Sequence, residues 1–141
     1  TLYEEKFVVL LPQGHRLSQH KIIKPAQLAG ENMMLLGKGH CFRDHVLDAC
    51  PNCFVDPLAQ TNGITATTFE GASLETIRYM VSSRRGVTIL PASAAHLPNY
   101  LKPTLVTIPL QAKEAKRRVI LVWRSQFPRL KAIQAIASAA Q

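Results

Sequence analysis

The sequence predicts an α/β domain with a mainly parallel sheet, on three observations. Short continuous apolar runs, the pattern of strands buried on both faces, recur along the chain. Between them lie segments with the apolar spacing and end signals of helices, so strands alternate with helices. The 141 residues are 47% hydrophobic and 18% charged, which is enough for one core and too apolar for disorder.

The elements follow in order. Lys6-Phe-Val-Val-Leu-Leu11, stopped by Pro12-Gln-Gly14, reads as a buried parallel strand. Lys24–Gly30 reads as a one-turn helix, with Pro25 near its start and Gly30 past its end. Met33–Leu36 is a second apolar strand, closed by Gly37-Lys-Gly39. A helix is expected over Phe42–Cys50, ended by Pro51, because the residue before proline is pushed out of the α region. Residues 51–64 read as a loop and Thr65–Phe69, rich in β-branched residues, as a strand. Ser73 is a good N-cap for a helix whose apolar face is Leu74, Ile77, Met80 and Val81, with Gly86 expected at its C′ position. Val87–Leu90, Leu105–Ile108 and Arg118–Trp123 read as further strands. A last helix is expected from Pro128, with Leu130, Ile133, Ile136, Ala137 and Ala140 facing inward. The polar, basic stretch Gln111–Arg117 is the best candidate for a hinge or linker.

Charge is divided unevenly. Residues 1–70 hold six basic and seven acidic groups, net −1, whereas residues 71–141 hold eleven and two, net +9. A solvated face explains such a run, and a face toward nucleic acid or an acidic partner is the sharper reading. No helix-turn-helix or zinc finger accompanies it, so direct base reading by this chain is not expected. No nucleotide-binding glycine loop is present. No apolar run approaches the roughly 18–20 residues that cross a bilayer, and no secretory signal pattern is seen, so a reducing, cytoplasmic setting is expected. The chain opens on Thr1 rather than Met, directly ahead of a strand, and reads as a fragment of a longer protein.

The three cysteines, Cys41, Cys50 and Cys53, fall within thirteen residues. Cys41 stands at a glycine-to-helix transition, where unpaired amide N–H groups and the helix dipole favour a thiolate. Lys38, His40 and Arg43 add cationic character, and Asp44 is placed to pair with Arg43 or His40. An inert, buried thiol would have no need of such neighbours. Cys50, nine residues on, would sit about 13 Å along a regular helix and on its opposite face, too far for a disulfide, so any bond between them requires the helix to unwind. Two other arrangements stay open: a Cys50–Cys53 pair in Cys-Pro-Asn-Cys, resembling a thioredoxin motif in the wrong structural context, and a zinc set of Cys41, Cys50 and Cys53 with His40 or His45. His15, His20 and His45 are expected at the surface, and His96 in a loop.

Several phrases carry a resemblance. Leu10-Leu-Pro-Gln-Gly-His-Arg-Leu17, Leu28-Ala-Gly30, Gly86-Val-Thr-Ile-Leu-Pro91 and the tail beginning Val122-Trp-Arg124 resemble the effector domain of LysR-type transcriptional regulators. Gly39-His-Cys-Phe-Arg-Asp44 with Cys50, and Ser73-Leu-Glu-Thr-Ile-Arg78, are similar to the hydrogen-peroxide-sensing activators of that family. The resemblance implies a type 2 periplasmic-binding-protein-like, Rossmann-like fold of two lobes. Residues 1–108 would be the second lobe, with a redox segment at 37–56. Residues 109–141 would supply the hinge, the returning strand and the C-terminal helix of the first lobe.

It further implies a redox-sensing regulatory domain rather than an enzyme. Cys41 would react with hydrogen peroxide through a sulfenic acid that Cys50 resolves to a disulfide, with His40, Arg43 and Asp44 tuning the thiol. The partners implied are a second copy of the chain in a homo-oligomer, DNA through an N-terminal helix-turn-helix absent from this chain, RNA polymerase, and a thiol reductant for reset. No cofactor, metal or membrane is implied. Two departures stand out: Thr68 precedes Phe69 where those relatives carry histidine, and Cys53 is an addition. A thiol oxidoreductase or peroxidase, a zinc-stabilised module, and an effector domain with an organic ligand between its lobes are the alternatives.

Overall fold

A computed structural model describes residues 1–54 and 68–140. Its centre is a long strand, β1 (Tyr3–Pro12), whose burial changes along its length. The apolar half, Phe7 to Pro12, lies between β4 (Val87–Pro91) and β5 (Leu105–Pro109), while Tyr3–Lys6 pairs only with β6 (Lys116–Val119). The described residues form a six-stranded sheet of order β3-β2-β4-β1-β5, with β6 added on the N-terminal half of β1, where β2 is Met33–Leu36 and β3 is Thr68–Gly71.

The sheet is mixed, a correction to the expected parallel one. β2 runs parallel to β3 and β4, but β1 runs antiparallel to β4, β5 and β6. The continuous apolar run Lys6–Leu11 points to a parallel strand, but that pattern reports burial on both faces, which a central antiparallel strand shares.

Helix α1 (Pro25–Leu28) is the expected single turn; the Lys24 N–H donates to Gln27 Oε1 at 2.8 Å, and Gly30 takes φ +88° beyond its end. Helix α2 (Cys41–Ala49) buries Phe42, Val46 and Ala49. Helix α3 (Leu74–Ser82) buries Ile77 and Val81 and is capped by Ser73, whose Oγ accepts from the Thr76 N–H at 3.2 Å. At its C-terminus the left-handed residue is Arg84 (φ +58°), not Gly86. The Arg84 N–H bonds the Val81 carbonyl at 2.9 Å and the Arg85 N–H the Met80 carbonyl at 3.1 Å, a Schellman closure. Gly86 has a different task. A Cβ there would lie 2.2 Å from the Asn32 carbonyl oxygen, so only glycine lets β4 begin this close to the start of β2.

Three other expectations are adjusted. The strand read at 65–69 begins, among the described residues, at Thr68; residues 65–67 and most of the loop read at 51–64 lie outside them. The strand read at Arg118–Trp123 is instead Lys116–Val119, because its ladder ends opposite Tyr3, where β1 ends, and Ile120, Val122 and Trp123 are exposed. Helix α4 (Leu130–Ala139) begins two residues later than Pro128 and buries none of its side chains fully; Leu130 and Ile136 are exposed, and only Ile133, Ala137 and Ala140 are half-buried. Residues 111–117 fold back on the sheet: the Gln111 N–H bonds the Ile23 carbonyl at 2.8 Å, and Ala115 is buried with its carbonyl accepting from Phe7 at 3.0 Å.

Candidate functional site

The three cysteines occupy the two ends of α2. Gly39 (φ +95°) turns the chain out of β2, and His40 is the N-cap residue, with no side-chain cap bond. Cys41 is the first helical residue and is exposed, as are Lys38, Gly39 and His40 before it. Cys41 is therefore accessible from solvent at the N-terminal end of α2.

Arg43 does not pair with Asp44, as the sequence suggested. Its Nη1 donates to the Leu36 carbonyl at 2.6 Å and to Glu70 Oε1 at 2.8 Å, tying the first turn of α2 to the ends of β2 and β3. Asp44 is exposed and makes no hydrogen bond or ion pair among the described residues. His45, expected to face solvent, is half-buried, its ring 6.5 Å from that of Phe7.

Cys50 caps the C-terminal end, its N–H bonded to the Val46 carbonyl at 3.0 Å, and its side chain is fully buried. Cys53 is buried beside it. The Cys53 N–H bonds the Cys50 carbonyl at 3.2 Å, and its Sγ donates to the Pro25 carbonyl at 3.2 Å. The neighbouring Cys53 thiol and burial push the Cys50 thiol far above its ordinary range. All three cysteines are free thiols. The structure thus brings Cys50 and Cys53 together and keeps Cys41 a helix length from both. Among the described residues no three His, Cys, Asp or Glu side chains converge as metal donors, so the four-ligand zinc set is not assembled.

Sequence reading missed the groups that hold α2 down. The Phe42 ring meets Phe7 edge-on at 5.1 Å, and the Arg117 guanidinium lies over Phe42 at 5.4 Å. Arg117 also donates to Glu5 Oε2 at 2.6 Å, and the other Glu5 oxygen accepts from the Ser93 N–H at 2.7 Å. Helix α2 is thereby linked to β6 through one cation. The signal was faint: a basic run after Ala115 and an acid at the third residue of β1, more than a hundred positions apart.

No helix among the described residues is long and apolar enough to cross a membrane. Comparison with known proteins agrees with the sequence resemblance. The chain is 32% identical over 127 residues to the DNA-binding transcriptional dual regulator OxyR of Escherichia coli (strain K12), covering 90% of this chain and 39% of that protein. It is 36% identical over 137 residues to a probable hydrogen peroxide-inducible genes activator of Mycobacterium leprae (strain TN), covering 96% of the chain and 41% of the relative. The chain therefore spans about two fifths of the length of these relatives. Among solved structures, the reduced form of the OxyR regulatory domain from Pseudomonas aeruginosa superposes with a TM-score of 0.81 at 39% identity, covering 99% of this chain and 62% of that one. The fold is accordingly the type 2 periplasmic-binding-like one. The LysR substrate binding domain family is matched along residues 1–141, and the chain belongs to it.

Proposed function

We propose that this chain is the peroxide-sensing part of the regulatory domain of a transcriptional activator, and that Cys41 and Cys50 are its redox pair. The observation that carries the reading is the placement of an exposed cysteine at one end of α2 and a buried one at the other. The Cys41 thiolate attacks one peroxide oxygen, the O–O bond breaks, and Cys41 becomes a sulfenic acid with release of water. The Cys50 sulfur then attacks the Cys41 sulfur and expels a second water. Two thiols have supplied two electrons.

The second step cannot occur within the helix. Cys41 and Cys50 are about 13 Å apart along it, and a disulfide needs Cα atoms within about 7 Å. Helix α2 is suited to unwinding. It has nine residues, fewer than the roughly 12–15 a helix needs to persist alone, and no side-chain N-cap bond, so packing of three buried residues holds it. Burial keeps the Cys50 thiol protonated and unreactive until the helix opens, so unwinding and resolution are coupled.

The refolded segment then alters contacts with a second copy of the chain, and through them the placement of DNA-binding parts outside this chain. DNA, RNA polymerase and a thiol reductant that resets the switch are the partners this reading requires. Residues 109–141 serve in it as the hinge and the returning part of the first lobe. The likeness to OxyR regulatory domains supports it. A thiol oxidoreductase acting through Cys50 and Cys53 is disfavoured, because both sulfurs are buried from outside substrates.

The test is titration of the fully reduced chain with an equivalent of hydrogen peroxide, followed by non-reducing peptide mapping and far-ultraviolet circular dichroism. A Cys41–Cys50 link within seconds, with loss of helix signal, is expected. Slow and unselective oxidation of the three cysteines would sink the reading.

A further inference from the structure

We propose that Cys53 is a third redox-active cysteine, which takes over Cys50 from the Cys41–Cys50 bond and leaves a Cys50–Cys53 disulfide that preserves α2. This inference rests on the function proposed above. Its basis is the turn Cys50-Pro-Asn-Cys53. The bond from the Cys53 N–H to the Cys50 carbonyl, 3.2 Å, closes a β-turn. Such a turn holds its end Cα atoms within about 7 Å, which overlaps the roughly 4.4–6.8 Å span of disulfides. Both side chains are buried in the core, and the Cys53 thiol is the neighbour that most perturbs that of Cys50. The Pro25 carbonyl accepts from Cys53 Sγ at 3.2 Å and fixes that sulfur in place.

The two possible disulfides differ in what they cost the fold. A Cys41–Cys50 bond requires α2 to unwind and takes Phe42, Val46 and Ala49 from their packing. A Cys50–Cys53 bond links residues already in contact and leaves α2 whole. Recovery of that packing draws the exchange forward. The Cys53 thiolate attacks the Cys50 sulfur, the Cys41–Cys50 bond breaks, and Cys41 leaves as a thiolate that takes up the proton Cys53 released. No electrons are gained or lost; the oxidising equivalents are those that hydrogen peroxide delivered. The switch therefore closes itself: Cys41 returns to a thiol on a reformed helix while the chain still carries one disulfide. The signal becomes a pulse, and the chain is refractory until a thiol reductant clears Cys50–Cys53.

The experiment is a time course. The reduced chain is mixed with an equivalent of hydrogen peroxide, quenched by alkylation at intervals and mapped without reduction. The Cys41–Cys50 link is expected first, then Cys50–Cys53 growing at its expense with Cys41 alkylated, while the helix signal falls and recovers. In Cys53→Ser, whose hydroxyl can keep the bond to the Pro25 carbonyl, Cys41–Cys50 is expected to persist and the helix signal to stay low. A Cys41–Cys50 link that does not decay in the unaltered chain overturns the inference and leaves the proposed function standing; this outcome needs no variant to fold. Formation of Cys50–Cys53 in Cys41→Ser as fast as in the unaltered chain also overturns it, because peroxide then reaches the pair directly. Absence of any Cys41–Cys50 link in both the unaltered chain and Cys53→Ser defeats the proposed function itself, and this inference with it.

Discussion

In the proposed function the chemistry depends on Cys41, at the exposed end of α2, and Cys41→Ser is expected to abolish the fast, selective reaction with peroxide. Alkylation mapping after peroxide treatment checks this. Cys53→Ser is expected still to form the Cys41–Cys50 link; if that variant were silent to peroxide, Cys50 would not be the resolving partner. The placement of both cysteines at the ends of α2 was legible in sequence because a helix start and a nine-residue spacing are local facts. The partner of Arg43 was not, since Glu70 lies 27 residues away on the neighbouring strand. Gly86 was legible as a special position but for the wrong reason. Its role is close approach to the Asn32 carbonyl, and Gly86→Ala is expected to destabilise the chain by about 3 kcal/mol through overpacking against backbone. Chemical denaturation of that variant measures it.

At the scale of elements, α2 is the part that changes in the proposed switch. Its hold on the sheet runs through Phe42, between the Phe7 ring and the Arg117 guanidinium, and through Arg43 on β2 and β3. Phe42→Leu loses the edge-on ring contact and the cation–π contact and is expected to cost about 1–2 kcal/mol. Because the loss falls on the wound state of α2, the conversion of sulfenic acid to the Cys41–Cys50 disulfide should speed up by roughly tenfold for each 1.4 kcal/mol lost there. Rapid-quench mapping reads that rate, and an unchanged rate would detach disulfide closure from helix opening. The same packing explains where sequence reading of elements went astray. A continuous apolar run in β1 reports burial, not strand direction, and the end of β6 is set by where β1 stops offering partners.

Across the whole molecule, one buried acid ties the first strand to the late basic stretch. Burial pushes the Glu5 carboxyl up, but the hydrogen bonds from Ser93 and from Arg117 outweigh it and hold its pKa below the ordinary 4.5. A carboxyl lowered on folding contributes stability above its unfolded pKa and loses it as pH falls through the folded value. The chain is therefore expected to weaken below about pH 4.5, and Glu5→Gln should flatten that acid limb while costing about 1–3 kcal/mol at neutral pH. Thermal melts across pH 2 to 7 would show both effects. Part of the +9 of the second half is thus spent inside the chain, on Glu4 through Lys116 and on Glu5 through Arg117. The sequence by itself determined the α/β class, most helix ends and the place of Cys41 at a helix start, because caps, prolines and apolar periods act within a few residues. Only the tertiary structure decided that the sheet is mixed, that Arg43 reaches Glu70, and that Arg117 covers Phe42. Those pairings join segments whose spacing carries no local signal, and packing around the long central strand chooses among them.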